Sequence, residues 1–243
     1  MPALFADWAG ALVDAAGVVP GQAVLDVACG TGIVARTVAD RLQGDGRVIG
    51  VDVNDAMLAV ARRARPELEW LVAEAGDLPF PDASFDTVLC QAALMYFPDR
   101  ARAVAEMARV VRSGGAVAVQ LWSALESQPA YVAFAEIVTR HAGEPGRELI
   151  GSYFSLGDAG VVTSLFEQAG LEPVSTVTRR GAVRAPSLEE FVRSEIDGTP
   201  LADQLGDEQY AAIMDETVRA LAPFAADGHA EVPIDGHILV ALR

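Results

Sequence analysis

A glycine-containing turn near residue 30 is the strongest chemical signal in the sequence. Gly30 and Gly32 follow the apolar run Ala23–Ala28 and precede an amphipathic stretch, a pattern that predicts a turn from a buried strand into a helix. Because glycine has no Cβ, the backbone at such a turn can come close to a bound ligand. The spacing of Gly30, Gly32 and Ala35 also fits a loose dinucleotide-binding pattern, so the turn alone leaves a nicotinamide-dependent dehydrogenase open.

Three aspartates spaced around this turn favour a different ligand. Asp26 lies inside the predicted strand, four residues before Gly30, where its carboxylate would sit close to the pyrophosphate of a dinucleotide. That position instead suits a ligand that carries an ammonium group and no phosphate. Asp52 follows about 20 residues after the turn, where a carboxylate can accept from ribose hydroxyls, and Asp77 could accept from the adenine amine. Each aspartate alone could be a cap or turn former, but together they predict S-adenosylmethionine.

The elements that must position these residues alternate between strands and helices, which is typical of an α/β domain with a mostly parallel sheet. Predicted strands lie at about Ala23–Ala28, Arg47–Asp52, Leu68–Ala73, Phe85–Cys90, Ala116–Trp122, Leu171–Thr178 and Gly236–Leu242. Predicted helices lie at about 3–17, 33–42, 55–65, 99–111, 187–196 and 207–225, with at least two more between 123 and 170. Asn54 or Asp55 is expected to cap the third helix, and Ser113–Gly115 to end the fourth.

Four segments, in order, resemble the motifs of class I S-adenosylmethionine-dependent methyltransferases. They are VLDVACGTG at 24–32, GVDVNDAML at 50–58, AGDLPFPDASFD at 75–86 and VVRSGG at 110–115, where Ser113 replaces the usual proline. The resemblance covers residues 20–122 and is nearest the branch of the ubiquinone/menaquinone-biosynthesis methyltransferases. It implies a Rossmann-like, mostly parallel sheet of seven strands in the order 3-2-1-4-5-7-6, with the last strand antiparallel and helices on both faces.

The same resemblance assigns a cofactor site by position. The residues expected to bind S-adenosyl-L-methionine are Asp26, Ala28, Gly30, Gly32, Asp52, Val53, Met57, Asp77, Leu78 and Gln91. The first four would face the methionine part, and Asp52 and Met57 the ribose and adenine. Asp77 and Leu78 would face the adenine, and Gln91 would border the transferable methyl group. The product would be S-adenosyl-L-homocysteine.

Methyl transfer places few demands on catalytic side chains. It is an in-line displacement that needs no metal ion and no covalent nucleophile, so no metal site is expected, and much of its rate can come from orientation. A general base helps only a hydroxyl or acidic-carbon acceptor. The catalytic residues are therefore unassigned; Tyr96, His141 and His237 are candidates for acceptor contact or base, with packing or surface roles as the alternative for each.

The composition limits the partners and surroundings of the chain. Its 18 basic and 34 acidic residues give a formal net charge of −16 over 243 residues, which disfavours nucleic acid and polyanionic substrates. No apolar run approaches the ~18–20 residues of a membrane span, and the amino terminus shows no signal-peptide pattern. Cys29 and Cys90 fit reduced core thiols, so a cytoplasmic protein is expected.

The chain is expected to fold as one domain, residues 1–243, with the cofactor-binding core at 20–122. The segments 123–170 and 180–230 are expected to be helical insertions that form a lid over a mainly apolar acceptor pocket. The predicted function is methylation of a small, largely apolar or aromatic metabolite by a monomer or homodimer. Two alternatives stay open: an enzyme of the same fold that binds the cofactor without transferring methyl, such as a cyclase, and the less favoured NAD(P)-dependent dehydrogenase.

Overall fold

Short β-branched and apolar runs form the strands, and the amphipathic stretches between them form helices. The computed structural model describes residues 2–197, 199–226 and 229–243, with side chains for 5–197, 199–225 and 229–243. The strands are β1 (Ala23–Val27), β2 (Arg47–Asp52), β3 (Glu69–Val72), β4 (Phe85–Gln91), β5 (Val111–Trp122), β6 (Glu172–Ala185), β7 (Ala225–Ala226) and β8 (His229–Leu242). The α-helices are α1 (Pro2–Ala15), α2 (Ile33–Leu42), α3 (Asp55–Ala64), α4 (Arg100–Val110), α5 (Pro129–Ala142), α6 (Glu144–Tyr153), α7 (Ala159–Gln168), α8 (Leu188–Ile196) and α9 (Asp207–Ala220).

The long strands form one sheet in the order β3-β2-β1-β4-β5-β8-β6, and the two-residue strand β7 pairs with β8. β1 is parallel to β2 and β4, β3 is parallel to β2, and β5 is parallel to β4. Counted over the long strands, this order confirms the predicted 3-2-1-4-5-7-6 sheet with an antiparallel last strand. The order reverses between β1 and β4, and in such sheets ligands bind beyond the carboxyl ends of the strands at the reversal.

The predicted cap of α3 is confirmed. The side-chain oxygen of Asn54 accepts from the backbone N–H groups of Ala56 and Met57, at 3.0 and 3.2 Å. These N–H groups have no partner within the helix, so the cap satisfies two donors that the helix itself cannot.

The predicted end of α4 at Ser113–Gly115 is wrong. The helix ends at Val110, and the two glycines lie within β5. Gly114 adopts a left-handed φ of 74°, and its N–H donates to the carbonyl oxygen of Arg243 at 2.8 Å. A long-range hydrogen bond therefore replaces the local helix cap that the glycine pair suggests.

The last two long strands extend further than their predicted bounds. β6 runs to Ala185 rather than to Thr178, and β8 begins at His229 rather than at Gly236. In the added part of β8, Ala230, Val232 and Ile234 are buried at every second position. This period of two is that of a strand with one covered face, so the residues before Gly236 continue the strand.

The described residues divide into two compact units. The sheet unit comprises 5–121, 158–178 and 237–243, and the helical unit comprises 122–157 and 179–236 together with the first residues of α1. In the helical unit α5 packs against α6 and α9. In the sheet unit α7 packs against α4, so the first helical segment of the helical unit stops at residue 157 rather than at 170. Among the described residues, no helix combines the length and the apolar character that a membrane span requires.

The core of the helical unit is aromatic. The rings of Tyr131, Phe134, Phe154 and Phe191 meet edge to face, with centroids 5.2–6.5 Å apart. The Tyr131 hydroxyl also donates to the Glu195 carboxylate at 3.3 Å, and both side chains are buried. Burial raises the pKa of Glu195 to about 7, because the charged carboxylate loses its hydration, while the bond from Tyr131 opposes this rise.

Candidate active site

The turn after β1, residues 28–32, contains three residues with a left-handed backbone conformation. Ala28, Gly30 and Gly32 have φ values of 55°, 54° and 81°. A Cβ on Gly30 would meet only the Met57 sulfur, at 3.6 Å, so the backbone there is open to a ligand. A Cβ on Gly32 would lie 2.4 Å from the Trp70 ring. Gly30 therefore leaves open space beside its backbone, whereas Gly32 permits close packing between the start of α2 and Trp70.

Asp52, at the end of β2, connects that strand to the turn. One carboxylate oxygen accepts from the Gly30 N–H at 2.8 Å, and the other accepts from the Asn54 N–H at 2.8 Å. The side chain is 9% exposed. Each carboxylate oxygen can accept more than one hydrogen bond, so both keep capacity for ligand hydroxyl groups. The structure thus joins Gly30 and Asp52 by a direct bond, which the sequence analysis did not predict.

Asp26 lies within β1, buried at 1% exposure. Its carboxylate accepts from the Ala35 N–H, in the first turn of α2, at 2.9 Å. Burial raises the pKa of Asp26 to about 8; the Ala35 N–H opposes that rise, and the charge of Asp52 adds to it. A carboxylate in such surroundings is stabilised by a cation, because a positive charge compensates for lost hydration and for the neighbouring negative charge. The position therefore fits a ligand ammonium group.

The loop that carries Asp77 and Leu78 is held by α4. The Leu78 N–H donates to the Glu106 carboxylate at 2.8 Å, and the Arg109 guanidinium donates to the Leu78 carbonyl oxygen at 3.0 Å and to that of Phe80 at 2.7 Å. The Glu106–Arg109 ion pair lowers the pKa of Glu106 and raises that of Arg109, so both stay charged. Leu78 is buried and Asp77 is exposed. The sequence motifs did not indicate Glu106 or Arg109, whose role depends on contacts about 30 residues away along the chain.

Two exposed apolar side chains flank the turn. Val53, which directly follows β2, is 64% exposed. Met57, in the first turn of α3, is 45% exposed. The Ala73 N–H donates to the backbone oxygen of Asp52 at 3.1 Å, so the end of β3 lies beside the same acid. An apolar surface beside the Asp52 carboxylate has the character that an adenine ring would need.

Gln91 ends β4 and is 8% exposed. Its side-chain nitrogen donates to the carbonyl oxygen of Phe5 in α1, at 3.0 Å, whereas its side-chain oxygen is buried and has no hydrogen-bond partner among the described residues. The chain then turns at Ala92, with a left-handed φ of 49°. The predicted role of Gln91 beside the methyl group stays a prediction.

The three candidate acceptor-site residues lie in different surroundings. Tyr96 is 52% exposed, in a single helical turn after β4. His141, in the helical unit, makes a 3.0 Å contact from its Nε2 to the Glu216 carboxylate, which links α5 to α9. His237, in the sheet unit, makes a 2.9 Å contact from its Nδ1 to the Thr178 hydroxyl on β6. Tyr96 and His237 thus share a unit with the residues expected to bind the cofactor, and Tyr96 follows the strand that Gln91 ends. The role of each candidate as acceptor contact or base stays a prediction.

The two cysteines are buried, unpaired thiols. Burial raises the pKa of both Cys29 and Cys90 above that of a free thiol, so neither is activated as a nucleophile. Among the residues that the structure describes, no cluster of histidine, cysteine or acidic side chains could hold a metal ion.

Sequence comparison identifies relatives over most of the sheet unit and beyond. A family model described as a methyltransferase domain matches residues 25–119. The ubiquinone/menaquinone biosynthesis C-methyltransferase UbiE of Cronobacter sakazakii is 30% identical over 194 residues, which cover 73% of this chain and 77% of that protein. The demethylmenaquinone methyltransferase of Renibacterium salmoninarum is 38% identical over 134 residues, and the match spans 55% of this chain and about half, 54%, of that relative.

A solved structure with the same architecture is named for an activity other than methyl transfer. The [4+2]-cyclase SpnF superimposes with a TM-score of 0.60 at 19% identity, over 98% of this chain and 81% of that one. At this identity the match supports the fold alone, because one fold can host different reactions.

Proposed function

Since this chain belongs to the class I S-adenosylmethionine-dependent methyltransferases, in the branch that includes UbiE, we propose that it methylates a small, neutral, largely apolar or aromatic metabolite. The observation that carries the proposal is the Asp52 carboxylate, which bonds the Gly30 N–H and keeps capacity for a ligand beside an open turn. The acceptor class is inferred from the names of the quinone-biosynthesis relatives and from the net charge of −16, which disfavours polyanions.

The acids at the carboxyl ends of β1 and β2 would suit the polar groups of the cofactor. Asp26 would take the ammonium group, because a buried carboxylate with a raised pKa gains most from a cation. Asp52 would accept from the ribose hydroxyls with the lone pairs that Gly30 and Asn54 leave free. Met57 and Leu78 would border the adenine, and Asp77 would accept from its amine.

S-adenosylmethionine held there would supply an electrophilic methyl group on a sulfonium, for which the leaving group is a neutral thioether. The work of this chain is to hold that group and the acceptor in line and to exclude water, an effect that can provide several kcal/mol, up to about 7–11, of the barrier reduction. A base is needed only if the methylated atom carries a proton that it does not readily lose. Tyr96, which follows the strand that Gln91 ends, is the first base candidate to replace.

The test combines binding with product formation. Calorimetry measures the affinity for S-adenosylmethionine of the unmodified chain, of Asp52→Asn and of the control Asp55→Asn, whose exposed carboxylate pairs with Arg62 at 2.8 Å. Asp52→Asn should weaken binding by roughly 1–3 kcal/mol, the loss of charge-assisted hydrogen bonds to a buried ligand, and the control should stay within about twofold. Equal affinities of all three proteins would contradict the site.

Product formation then distinguishes the reaction. The chain is incubated with S-adenosylmethionine and a panel of neutral ring compounds and small aliphatic metabolites, and S-adenosylhomocysteine is quantified. Acceptor-dependent formation supports the proposal. Tight cofactor binding with none formed from any acceptor would favour an enzyme that does not transfer methyl, and saturable binding of NAD(P)H would favour a dehydrogenase.

A further inference from the structure

Two buried glutamines lie near the carboxyl ends of adjacent strands of the sheet unit. Gln91 on β4 and Gln120 on β5 are direct neighbours in the parallel register. Gln120 is fully buried and Gln91 is 8% exposed. The Ala92 N–H donates to the backbone oxygen of Gln120 at 2.9 Å, which fixes the two strand ends side by side.

Three of the four polar atoms of these side chains are unsatisfied. Both amide atoms of Gln120 and the side-chain oxygen of Gln91 are buried without a hydrogen-bond partner among the described residues. The remaining atom, the Gln91 nitrogen, donates to the Phe5 carbonyl oxygen. Because a carbonyl oxygen can only accept, this bond fixes the orientation of the Gln91 amide and makes its oxygen the free acceptor.

Buried orphan polar atoms destabilise a protein, and native proteins retain few of them. Three buried polar atoms without partners lie on two neighbouring residues, so one binding site accounts for them better than separate packing defects do. Gln120 presents an NH2 group with two N–H donors and one acceptor oxygen, and Gln91 presents a second acceptor oxygen. A hydroxyl group, which donates one hydrogen bond and accepts others, complements this set.

The pair lies on the same face of the sheet as the acid that would meet the cofactor. Asp26 on β1 is the register neighbour of Leu89, two positions before Gln91 on β4. Because side chains alternate along a strand, positions 89 and 91 share a face, and register neighbours share it with them. The carboxyl ends of β1, β4 and β5 thus bring Asp26, Gln91 and Gln120 to one edge and one face.

We propose that Gln91 and Gln120 form the recognition site for a hydroxyl group of a neutral acceptor. This inference rests on the proposed function and narrows it, since uncharged amides select a neutral hydroxyl compound over a carboxylate or a phosphate. An amide does not titrate in the physiological range, so the two residues position the acceptor and do not act as its base. The sequence motifs indicated Gln91 but not Gln120.

The test measures binding first, because binding does not require turnover. Calorimetry in the presence of S-adenosylhomocysteine compares a panel of neutral one- and two-ring phenols with the methyl ether of each compound. The unmodified chain should bind at least one phenol about tenfold more tightly than its ether. Gln120→Leu and Gln91→Leu should each remove most of that preference, whereas the affinity of Gln120→Leu for S-adenosylhomocysteine should stay within about twofold.

A matched control separates recognition from packing. The Thr217 hydroxyl in α9 is also buried without a partner among the described residues, so Thr217→Val removes an orphan atom elsewhere. It should keep the phenol preference. Gln120→Leu should not lower the melting temperature, because it removes two orphan atoms. If a variant is less stable, unchanged binding of the methyl ether would show that its binding site is still folded.

Some outcomes would overturn the inference. These are no phenol preference in the unmodified chain, equal losses of phenol and ether binding in Gln120→Leu, or a loss of S-adenosylhomocysteine affinity instead. Failure of the proposed function alone would give a different result. The unmodified chain would still prefer phenols and the variants would still lack that preference, but no acceptor would yield S-adenosylhomocysteine from S-adenosylmethionine.

Discussion

Binding of S-adenosylmethionine is expected to release a proton from Asp26. In the free protein burial raises the pKa of this carboxyl to about 8, against the opposing Ala35 N–H, and the charge of Asp52 adds to the rise. At neutral pH the carboxyl is therefore mostly protonated. An ammonium group beside it would favour the carboxylate, so the proton must leave as the ligand binds.

The pKa determines the size of this effect. Below a pKa of about 8 the ionised fraction of Asp26 rises about tenfold per pH unit. The affinity should rise in parallel, by roughly 30-fold or about 2 kcal/mol between pH 5.5 and 7. An ordinary α-amino group titrates at about 7.7–8.0, so the ligand stays cationic across this window. At pH 6.5 about one proton should be released per ligand bound.

Titration calorimetry between pH 5.5 and 7, in two buffers with different ionisation enthalpies, measures both the affinity and the released proton. Asp26→Asn is the matched variant, because its side-chain oxygen can still accept from the Ala35 N–H but the amide cannot ionise. Its affinity should be lower at pH 7 and nearly independent of pH. A flat affinity of the unmodified chain, with heats that do not depend on the buffer, would refute the assignment of Asp26 to the ammonium group.

Two further predictions concern stability. Gly32→Ala should destabilise the protein by about 2–5 kcal/mol, the sum of left-handed strain and overpacking, because its Cβ would lie 2.4 Å from the Trp70 ring. Gly30→Ala should cost about 1–2 kcal/mol of strain alone. Urea unfolding measures both, and equal losses would contradict the packing role of Gly32. Glu195→Gln should change the melting temperature little at pH 5 and raise it at pH 8. Burial raises the pKa of Glu195 from 4.5 to about 7, so the stability of the protonated form is fully present below 4.5 and is lost as pH rises through 7. Thermal unfolding from pH 5 to 8.5 checks this, and a constant difference between the two proteins would argue against it.

The parts of the fold that depend on local patterns were predictable from the sequence. The turn from β1 into α2, the Asn54 cap and the acid at the end of β2 each depend on residues within a few positions of one another, or on the regular length of a strand–helix–strand unit. The strand order followed from the family resemblance rather than from any local pattern.

The parts that depend on distant partners were not predictable in this way. Ser113–Gly115 has the composition of a helix end, but the backbone of its two glycines pairs with Arg243, far away along the chain. Glu106 and Arg109 look like ordinary helix-surface charges until the loop near Leu78 packs against them. The unsatisfied side-chain amide of Gln120 can be recognised only when β4 and β5 are aligned. The sequence does not indicate which groups lie opposite a single glutamine in an apolar strand.

Asp52 has a structural role besides its proposed role in ligand binding, and this limits how the protein can change during evolution. The acid that would hold the ribose also holds Gly30 and Asn54 in the free chain, through one bond from each carboxylate oxygen. A lineage that discarded the acid would loosen the turn after β1 as well, so selection for folding alone is expected to preserve it. A descendant could acquire a new acceptor, or a new reaction, and still inherit the ribose anchor as part of its architecture.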